Sequence, residues 1–128
     1  MVKIKEIMSA HLITVETSTS VREAVNVMAR EKLGSVLVTK GKDVVGILEE
    51  RDIINGLVKD HNLYITPVEA IMSVPFIIDG ESADHVGSNM MFQQNVRHLA
   101  VSDGEKIVGI LSMADLLKPI YAGRSIWA

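Results

Sequence analysis

The sequence predicts an α/β fold made of two similar halves, each a small sheet with flanking helices. Three observations support this prediction. The chain contains one internal repeat, each copy contains a pair of short apolar runs typical of strands, and helical patterns precede and follow each pair. The repeat is longer than those of solenoid proteins, so we interpret each copy as half of one globular body.

The repeat is visible as matching phrases at a nearly constant offset. Met8 corresponds to Met72 at an offset of 64 (72 − 8), and Asp52 corresponds to Asp115 at an offset of 63 (115 − 52). The phrases Val-Val-Gly-Ile-Leu and Ile-Val-Gly-Ile-Leu lie between these positions in the two copies. The one-residue difference falls in a turn. A duplicated chain of this kind suggests two related clefts.

The length of 128 residues fits one domain with a single core. We place the first copy at residues 1–61, the second at residues 62–123 and a C-terminal tail at residues 124–128. Residues 59–67 are largely polar and end at Pro67, so we interpret them as a connector.

The first copy begins its long helix with a capping box, formed by Ser20 and Glu23. Apolar residues then recur at helical spacing, which predicts a helix from about residue 20 to residue 32. Gly34 suits the C-terminal stop of this helix.

Two apolar runs follow in the first copy, at residues 35–39 and 44–48. A turn at residues 40–42 joins them, so we predict a hairpin of two strands. Runs this apolar are typical of strands covered on both sides, by helices or by the sheet of the other copy. Residues 49–59 then return to helical spacing.

The second copy repeats this order of elements. We predict a helix at residues 84–94, strands at 98–102 and 106–111, a turn at Asp103 and Gly104, and a helix at 112–117.

The helix at residues 84–94 is unusually polar. Ser82 is its candidate cap, and Val86, Met90 and Met91 form a thin apolar stripe. This helix is either solvated or part of a docking surface. Other methionines, at positions 8, 28 and 72, are expected to fill the core.

The composition excludes several classes of function. The chain has no cysteine, which excludes disulfides and thiolate chemistry and fits a cytoplasmic protein. It has no signal-like run and no stretch near the roughly 20 apolar residues that span a bilayer, so no membrane partner is expected. A net charge of −3 without a basic run argues against nucleic acid as a partner.

Motifs of catalysis and metal binding are missing from the sequence. There is no phosphate loop, no Gly-x-Gly-x-x-Gly and no His-Glu-x-x-His, and the four histidines lack the spacing of ligands. Nothing marks a nucleophile with an adjacent base. We therefore expect no enzyme activity, no metal and no cofactor.

Four phrases together resemble a known family. They occupy residues 34–38, 46–53, 97–101 and 109–116, and with the order of elements they resemble the cystathionine-β-synthase (CBS) domain. Two tandem copies are similar to a Bateman module, and the likeness covers about residues 2 to 121. The resemblance implies a non-catalytic module whose copies pair through their sheets, with adenosine-containing ligands in the clefts between them.

The family phrase Gly-x-x-Ser/Thr-x-x-Asp is matched by Gly109, Ser112 and Asp115. In the family this aspartate accepts hydrogen bonds from ribose hydroxyls, for which a carboxylate with two acceptor oxygens is suited. The same spacing is also typical of a helix N-cap with an acidic first turn.

The first copy departs from this phrase, because Glu49 stands where the hydroxyl residue is expected. A carboxylate that faces a phosphate is unfavourable, so we expect a weaker second cleft. Asp52 is its candidate ribose partner, although Glu49 and Asp52 also suit an acidic helix start.

Phosphate needs donors, and Arg97 and His98 stand where several family members have basic phosphate contacts. Their side chains point in different directions in an extended segment, so one of them is the expected contact. The alternative is an exposed Arg97 beside a half-buried His98.

The resemblance implies two composite sites. The residues expected at the nucleotide site are Ile13, Thr14, Leu33, Gly34, Ser35, Arg97, His98, Ser112, Ala114 and Asp115. Those expected at the second, weaker cleft are Asp52, Ile77, Ile78, Leu99 and Ala100.

We therefore expect a regulatory, energy-sensing module that binds AMP, ADP or ATP and signals to an effector protein that the sequence does not name. The alternatives are a ligand-free dimerisation or scaffold module, and a module that binds S-adenosylmethionine or NAD.

We also expect a homodimer, since each copy leaves an apolar helical face unpaired. The residues of these faces are Ile53, Ile54, Leu57, Val58, Leu116, Leu117, Ile120 and Tyr121. The tail, which contains Trp127, either crosses the partner or covers its own core.

Overall fold

The computed structural model describes residues 1–119, which form two compact units. The first comprises Ile13–Pro75 and is called the Asp52 unit after its conspicuous carboxylate. The second comprises Met1–Leu12 with residues 76–119, and is called the Asp115 unit. The units do not coincide with the sequence copies, because the start of the first copy packs with the second.

The helices and strands follow the predicted order. In sequence they are α1 (Ile4–Ile7), β1 (Thr14–Glu16), α2 (Val21–Glu31), β2 (Ser35–Lys40), β3 (Asp43–Glu49), α3 (Glu50–Lys59), β4 (Ile77–Asp79), α4 (Asp84–Gln94), β5 (His98–Asp103) and β6 (Lys106–Ser112). Short 3₁₀ turns occupy Leu63–Ile65, Val68–Ala70 and Ala114–Leu117.

Each unit contains one three-stranded sheet, which confirms the predicted α/β fold. In the Asp52 unit β1 pairs with β2 in parallel, and β2 pairs with β3 in an antiparallel hairpin. The sheet of the Asp115 unit repeats this topology with β4, β5 and β6. The parallel pairs need a crossover, which α2 and α4 supply.

Apolar side chains fill a core in each unit, as the runs in the strands predict. The core of the Asp52 unit includes Val15, Val21, Ala24, Met28, Val36, Val38, Leu48, Leu63 and Val68. That of the Asp115 unit includes Ile4, Ile7, Ile78, Met91, Leu99, Val101 and Leu111. Met8 and Met72 are partly buried against these cores, and Met28 lies within one, so all three fill the core as predicted.

The start of α2 is confirmed and its predicted stop is wrong. The Ser20 side chain accepts a hydrogen bond of 3.1 Å from the Glu23 amide. The helix ends at Glu31, and its cap is Lys32 in the left-handed conformation with φ 58°, not Gly34. The Leu33 amide donates to the Met28 carbonyl at 2.9 Å, so hydrogen bonding across the last turn selects this unusual backbone in a lysine.

The cap predicted for α4 is also wrong, since Ala83 and not Ser82 precedes the helix. The Ser82 carbonyl accepts from the Ile4 amide at 2.9 Å, so this residue is used to hold the N-terminal segment. The buried side of α4 contains Gly87 and Met91, whereas Val86 is exposed. Met91 and the partly buried Met90 confirm two residues of the predicted stripe, and a Cβ on Gly87 would lie 2.9 Å from Leu111, so the helix packs closely there.

The helix predicted at residues 112–117 is shorter and tighter. Ser112 is the last residue of β6, opposite His98 in the strand ladder. The 3₁₀ turn begins only at Ala114. The ladder pairing therefore extends the strand beyond the point where the spacing suggested a helix.

The Met-Ser phrase, at residues 8–9 and 72–73, pairs with the Gly-Ile-Leu phrase of the same unit. In the Asp115 unit the Ser9 amide donates to the Ile110 carbonyl at 2.9 Å, and the Ile110 amide donates to the Ser9 carbonyl at 3.0 Å. Ser73 and Ile47 pair in the same way in the Asp52 unit. This bridge explains why the N-terminal segment belongs to the Asp115 unit.

An ion-pair cluster also holds the N-terminal segment. Glu81 accepts from Lys3 at 2.7 Å and from Lys5. The Lys5 amide donates to the Gly80 carbonyl at 2.9 Å. Hydrogen bonds from the two ammonium groups lower the pKa of Glu81 to about 2.

We expect Glu81 to stabilise the N-terminal segment at neutral pH and to lose this effect in acid. Because its folded pKa is below its ordinary value of 4.5, the contribution is complete above that value and disappears as the pH falls toward 2. The cluster is exposed, so the effect is small. An NMR titration of the Glu81 carboxyl group measures the pKa, and hydrogen exchange at the Lys5 amide measures the consequence.

The matched control is Glu81→Gln. In this variant hydrogen exchange at the Lys5 amide should be faster than in the wild type and should show no change caused by protonation of Glu81. A Glu81 carboxyl group that titrates at 4.5 would contradict the prediction.

Among residues 1–119, no helix is long and apolar enough to cross a membrane.

Candidate functional site

A reciprocal cap fixes the carboxylate of Asp115 at the end of β6. The Ser112 amide donates to Oδ2 of Asp115 at 2.8 Å, and the Asp115 amide donates to the Ser112 hydroxyl at 3.2 Å. These are the reciprocal hydrogen bonds of a capping box, although Ser112 belongs to β6 and Met113 is the residue that precedes the 3₁₀ turn. The cap uses Oδ2 and leaves Oδ1 of Asp115 as an acceptor for other donors.

The other carboxylate oxygen of Asp115 faces a lysine. Lys118 Nζ lies 2.8 Å from Oδ1 of Asp115 and donates to the Ile7 carbonyl at 2.9 Å. The Asp115 side chain is 13% exposed and the Lys118 side chain is 55% exposed. The carboxylate is thus held on both oxygens at the rim of the unit.

The predicted basic residues lie beside this cap. His98 is half-buried and is the ladder partner of Ser112 on the neighbouring strand. Arg97 is exposed, and its carbonyl accepts from the Met113 amide at 2.9 Å. Together with the exposed Ala114, these residues form one cluster at the end of the β5–β6 hairpin. Imidazole, guanidinium and carboxylate groups here can bind a ligand that has both an anionic group and hydroxyls.

Asp52 occupies the equivalent position but has different partners. The Glu49 amide donates to Oδ2 of Asp52 at 2.9 Å, and the Ser73 hydroxyl donates to Oδ1 at 2.9 Å. The Glu49 side chain completes the capping box by accepting from the Asp52 amide. Burial raises the pKa of Asp52, against the opposing effect of these hydrogen bonds.

The predicted residues of the first copy lie in the Asp52 unit, and two of them adjoin this second cap. Ser35 is buried and pairs with Glu49 across the hairpin, and the Gly34 carbonyl accepts from the Glu50 amide at 3.3 Å. Leu33 and Ile13 are partly buried against the core of the Asp52 unit, and Thr14 is exposed at the start of β1. All five lie in the Asp52 unit.

The apolar residues predicted for the weaker cleft lie in the Asp115 unit. Ile78, Leu99 and Ala100 are buried, and the first two belong to the core cluster. Ile77 is exposed at the start of β4, where it pairs with Ala100. Ile77 is therefore the side chain of this set that is accessible to a ligand. The grouping of residues from both units into common sites stays a prediction.

Two residues at the caps were missed by sequence reasoning, Lys118 and Ser73. The signal for Lys118 was its position three residues after Asp115, where side chains share one face of a helical turn. The signal for Ser73 was its place directly after Met72, which matches Ser9 after Met8 in the other copy.

A groove of about 610 Å³ lies elsewhere on the Asp115 unit, between α4 and the final turn. Its lining residues are Asp84, His85, Ser88, Asn89, Met91, Phe92, Met113, Leu116 and Leu117. Phe92 is 89% exposed. The groove uses the polar side of α4 and shares no residue with the predicted nucleotide site.

The predicted dimer faces differ in exposure. On α3, Ile54 and Val58 are exposed, whereas Ile53 and Leu57 pack against the core of the Asp52 unit. In the final turn, Leu117 is exposed and Leu116 is partly buried. Ile120, Tyr121 and the tail at residues 124–128 lie outside the described residues.

Comparisons with known proteins agree with this architecture. A CBS-domain protein from Bacillus subtilis is 26% identical over 117 residues, which cover 91% of this chain and 84% of the relative. The structure of a CBS-domain protein from Burkholderia ambifaria is 28% identical, covers 98% of both chains and has a TM-score of 0.89. One from Pyrobaculum aerophilum, complexed with AMP, is 24% identical, covers 89% of both chains and has a TM-score of 0.81.

Several other curated relatives are much longer, and this chain spans only 13% to 22% of their length. The CBS domain pattern itself matches residues 4–59 and again residues 68–122. These two matches cover most of the chain and both of its sheets. The protein therefore belongs to the CBS domain family and contains two tandem CBS domains.

Proposed function

We propose that this protein is a non-catalytic regulatory module that binds an adenine nucleotide (AMP, ADP or ATP) at Asp115 and signals its occupancy to an effector protein. The observation that carries the proposal is the capped, partly exposed Asp115 carboxylate with His98 and Arg97 at the same end of one hairpin. The carboxylate suits a ribose diol, and one of the two basic residues suits a phosphate. The AMP complex of the Pyrobaculum relative supports this choice of ligand.

Mass spectrometry of small molecules released from the denatured, purified protein tests the proposal most directly. Recovery of AMP, ADP or ATP is the expected result, and calorimetry with the same nucleotides then gives the affinity. Release of S-adenosylmethionine or NAD would replace the proposed ligand. A protein that releases nothing, and whose melting temperature is unchanged by millimolar nucleotide, would be a scaffold.

The two caps should differ in affinity. At Asp52 the neighbouring Glu49 adds a second carboxylate where Asp115 has the Ser112 hydroxyl. A negative side chain near the path of a phosphate opposes binding. We therefore propose that the Asp115 site is the stronger of the two.

The second part of the proposal is a homodimer formed through exposed apolar residues of α3. Val58 is 81% exposed on this helix, and Ile54 lies one turn before it. A twofold axis would bring this patch against its own copy. Val58→Asp should therefore produce a monomer, because each interface would then bury two carboxylates.

Light scattering at micromolar concentration measures the oligomeric state of this variant. Ile65→Asp is the matched control, since Ile65 is equally exposed but lies in a 3₁₀ turn outside α3. A monomeric wild-type protein would contradict the dimer, and a dimeric Val58→Asp variant would exclude this interface.

A further inference from the structure

Lys118 links the proposed ligand-binding carboxylate to the N-terminal segment. One ammonium group contacts both Oδ1 of Asp115, at 2.8 Å, and the carbonyl of Ile7, at 2.9 Å. Ile7 is the last residue of α1, and the chain continues directly into the Ser9 bridge with β6. Lys118 thus connects the Asp115 carboxylate with a segment that lies 111 positions before Lys118 in sequence (118 − 7).

The contact between Lys118 and Asp115 occupies the oxygen that a ribose would use. Oδ2 of Asp115 is already held by the Ser112 amide at 2.8 Å. Oδ1 is therefore the better acceptor for the hydroxyls of a diol, and Lys118 already donates to it. Because the Lys118 side chain is 55% exposed, solvent can replace Asp115 as its partner at little cost.

We propose that Lys118 is a positioning residue of the nucleotide site, which holds Asp115 in the ligand-free protein and competes there with the ribose diol. Binding of a diol displaces the ammonium group and frees the Ile7 carbonyl. Occupancy of the site thereby loosens the segment from Ile7 to Ser9. The inference rests on the proposed function, since it requires a ribose ligand at Asp115.

The Asp52 cap lacks this arrangement. The position equivalent to Lys118 is Asn55 at the offset of 63 (118 − 63), and Oδ1 of Asp52 is held by the neutral hydroxyl of Ser73. Arg51 adds a positive charge near Asp52, but Oδ1 of Asp52 accepts from a hydroxyl and not from an ammonium group. This difference assigns the coupling to the stronger of the two proposed sites.

The test uses uncharged ligands, so that attraction between lysine and phosphate does not contribute. Adenosine has the 2′,3′-diol and 2′,3′-dideoxyadenosine lacks it. Lys118→Met should bind adenosine about 1.5- to 5-fold more tightly than the wild type, the factor that corresponds to an exposed ion pair. Its affinity for dideoxyadenosine should be unchanged. NMR titration measures both affinities, and Lys59→Met is the control for loss of one exposed charge.

Hydrogen exchange at the Met8 and Ser9 amides measures the second consequence without relying on affinity. In the ligand-free protein Lys118→Met should speed this exchange by about two- to fivefold, and Lys118→Arg should restore it. In the wild type, saturating adenosine should produce a similar increase, and in Lys118→Met it should add nothing.

The possible failures are distinguishable. If the wild type binds neither adenosine nor AMP, the proposed function is wrong and the competition fails with it. If the wild type binds AMP, but Lys118→Met binds adenosine no more tightly or exchanges Met8 and Ser9 at the wild-type rate, the role of Lys118 alone is wrong. An unchanged melting temperature verifies that Lys118→Met is folded.

Discussion

Asp115→Ala is expected to weaken adenine nucleotide binding by about 1–3 kcal/mol, or roughly 5- to 150-fold. The substitution removes the carboxylate that we propose as the acceptor for the ribose hydroxyls. Asp52→Ala is the matched comparison, because Asp52 occupies the equivalent cap in the other unit. We expect it to leave the strongest binding step nearly unchanged. Isothermal titration calorimetry with AMP and ATP measures both variants.

The loss of the cap must be separated from the loss of a ligand contact. Asp115 also accepts from the Ser112 amide, so its removal costs about 0.5–2 kcal/mol of folding stability. Asp52→Ala controls for this effect, since it removes the equivalent bond from the Glu49 amide in the other unit. Denaturant unfolding of each variant gives the stability. Equal losses of affinity in Asp115→Ala and Asp52→Ala would exclude the proposed asymmetry.

Gly109→Ala is expected to destabilise the protein by about 1–3 kcal/mol, the usual cost of an atom forced into a packed region. A Cβ at this position would lie 2.7 Å from the carbonyl oxygen of Ser9. That carbonyl accepts from the Ile110 amide, so it cannot move away without disturbing the bridge that holds the N-terminal segment. Urea unfolding followed by circular dichroism measures the change.

Gly46→Ala provides the internal control for this substitution. Its added Cβ would meet the Met72 side chain, 2.9 Å from Cγ, and no backbone atom is among its nearest neighbours. A methionine side chain can change rotamer, so we expect a smaller loss of stability than in Gly109→Ala. The interpretation fails if the two variants lose equal stability, because the backbone contact would then have no special effect.

The close contact at Gly109 gives the glycine of the family phrase a structural explanation. Gly109 matched a nucleotide-binding phrase in the sequence, and its observed role is to admit the Ser9 carbonyl beside β6. Only Ser112 and Asp115 of that phrase carry the chemistry of the candidate site. The glycine is required by packing.

Helices and strands were predictable where a local signal decides them. The capping box at Ser20 and the apolar runs of the hairpins are such signals, and α4 was predicted at its observed bounds. The stop of α2 is decided instead by hydrogen bonds of its own last turn, and the cap predicted for α4 failed where a distant contact is made. Ser82 does not cap α4, and its carbonyl accepts from the amide of Ile4, a residue 78 positions away (82 − 4).

The sequence by itself determined the duplicated α/β architecture, the two equivalent aspartates and the difference between Glu49 and Ser112. These follow from periodicity and alignment, which depend on residues close together in the chain. Only the tertiary structure decided that Met1–Leu12 packs with the second copy and that Lys118 holds Asp115 against Ile7. Side-chain and strand contacts between residues about 100 positions apart depend on how the folded chain returns on itself, and neither propensity nor spacing encodes that return.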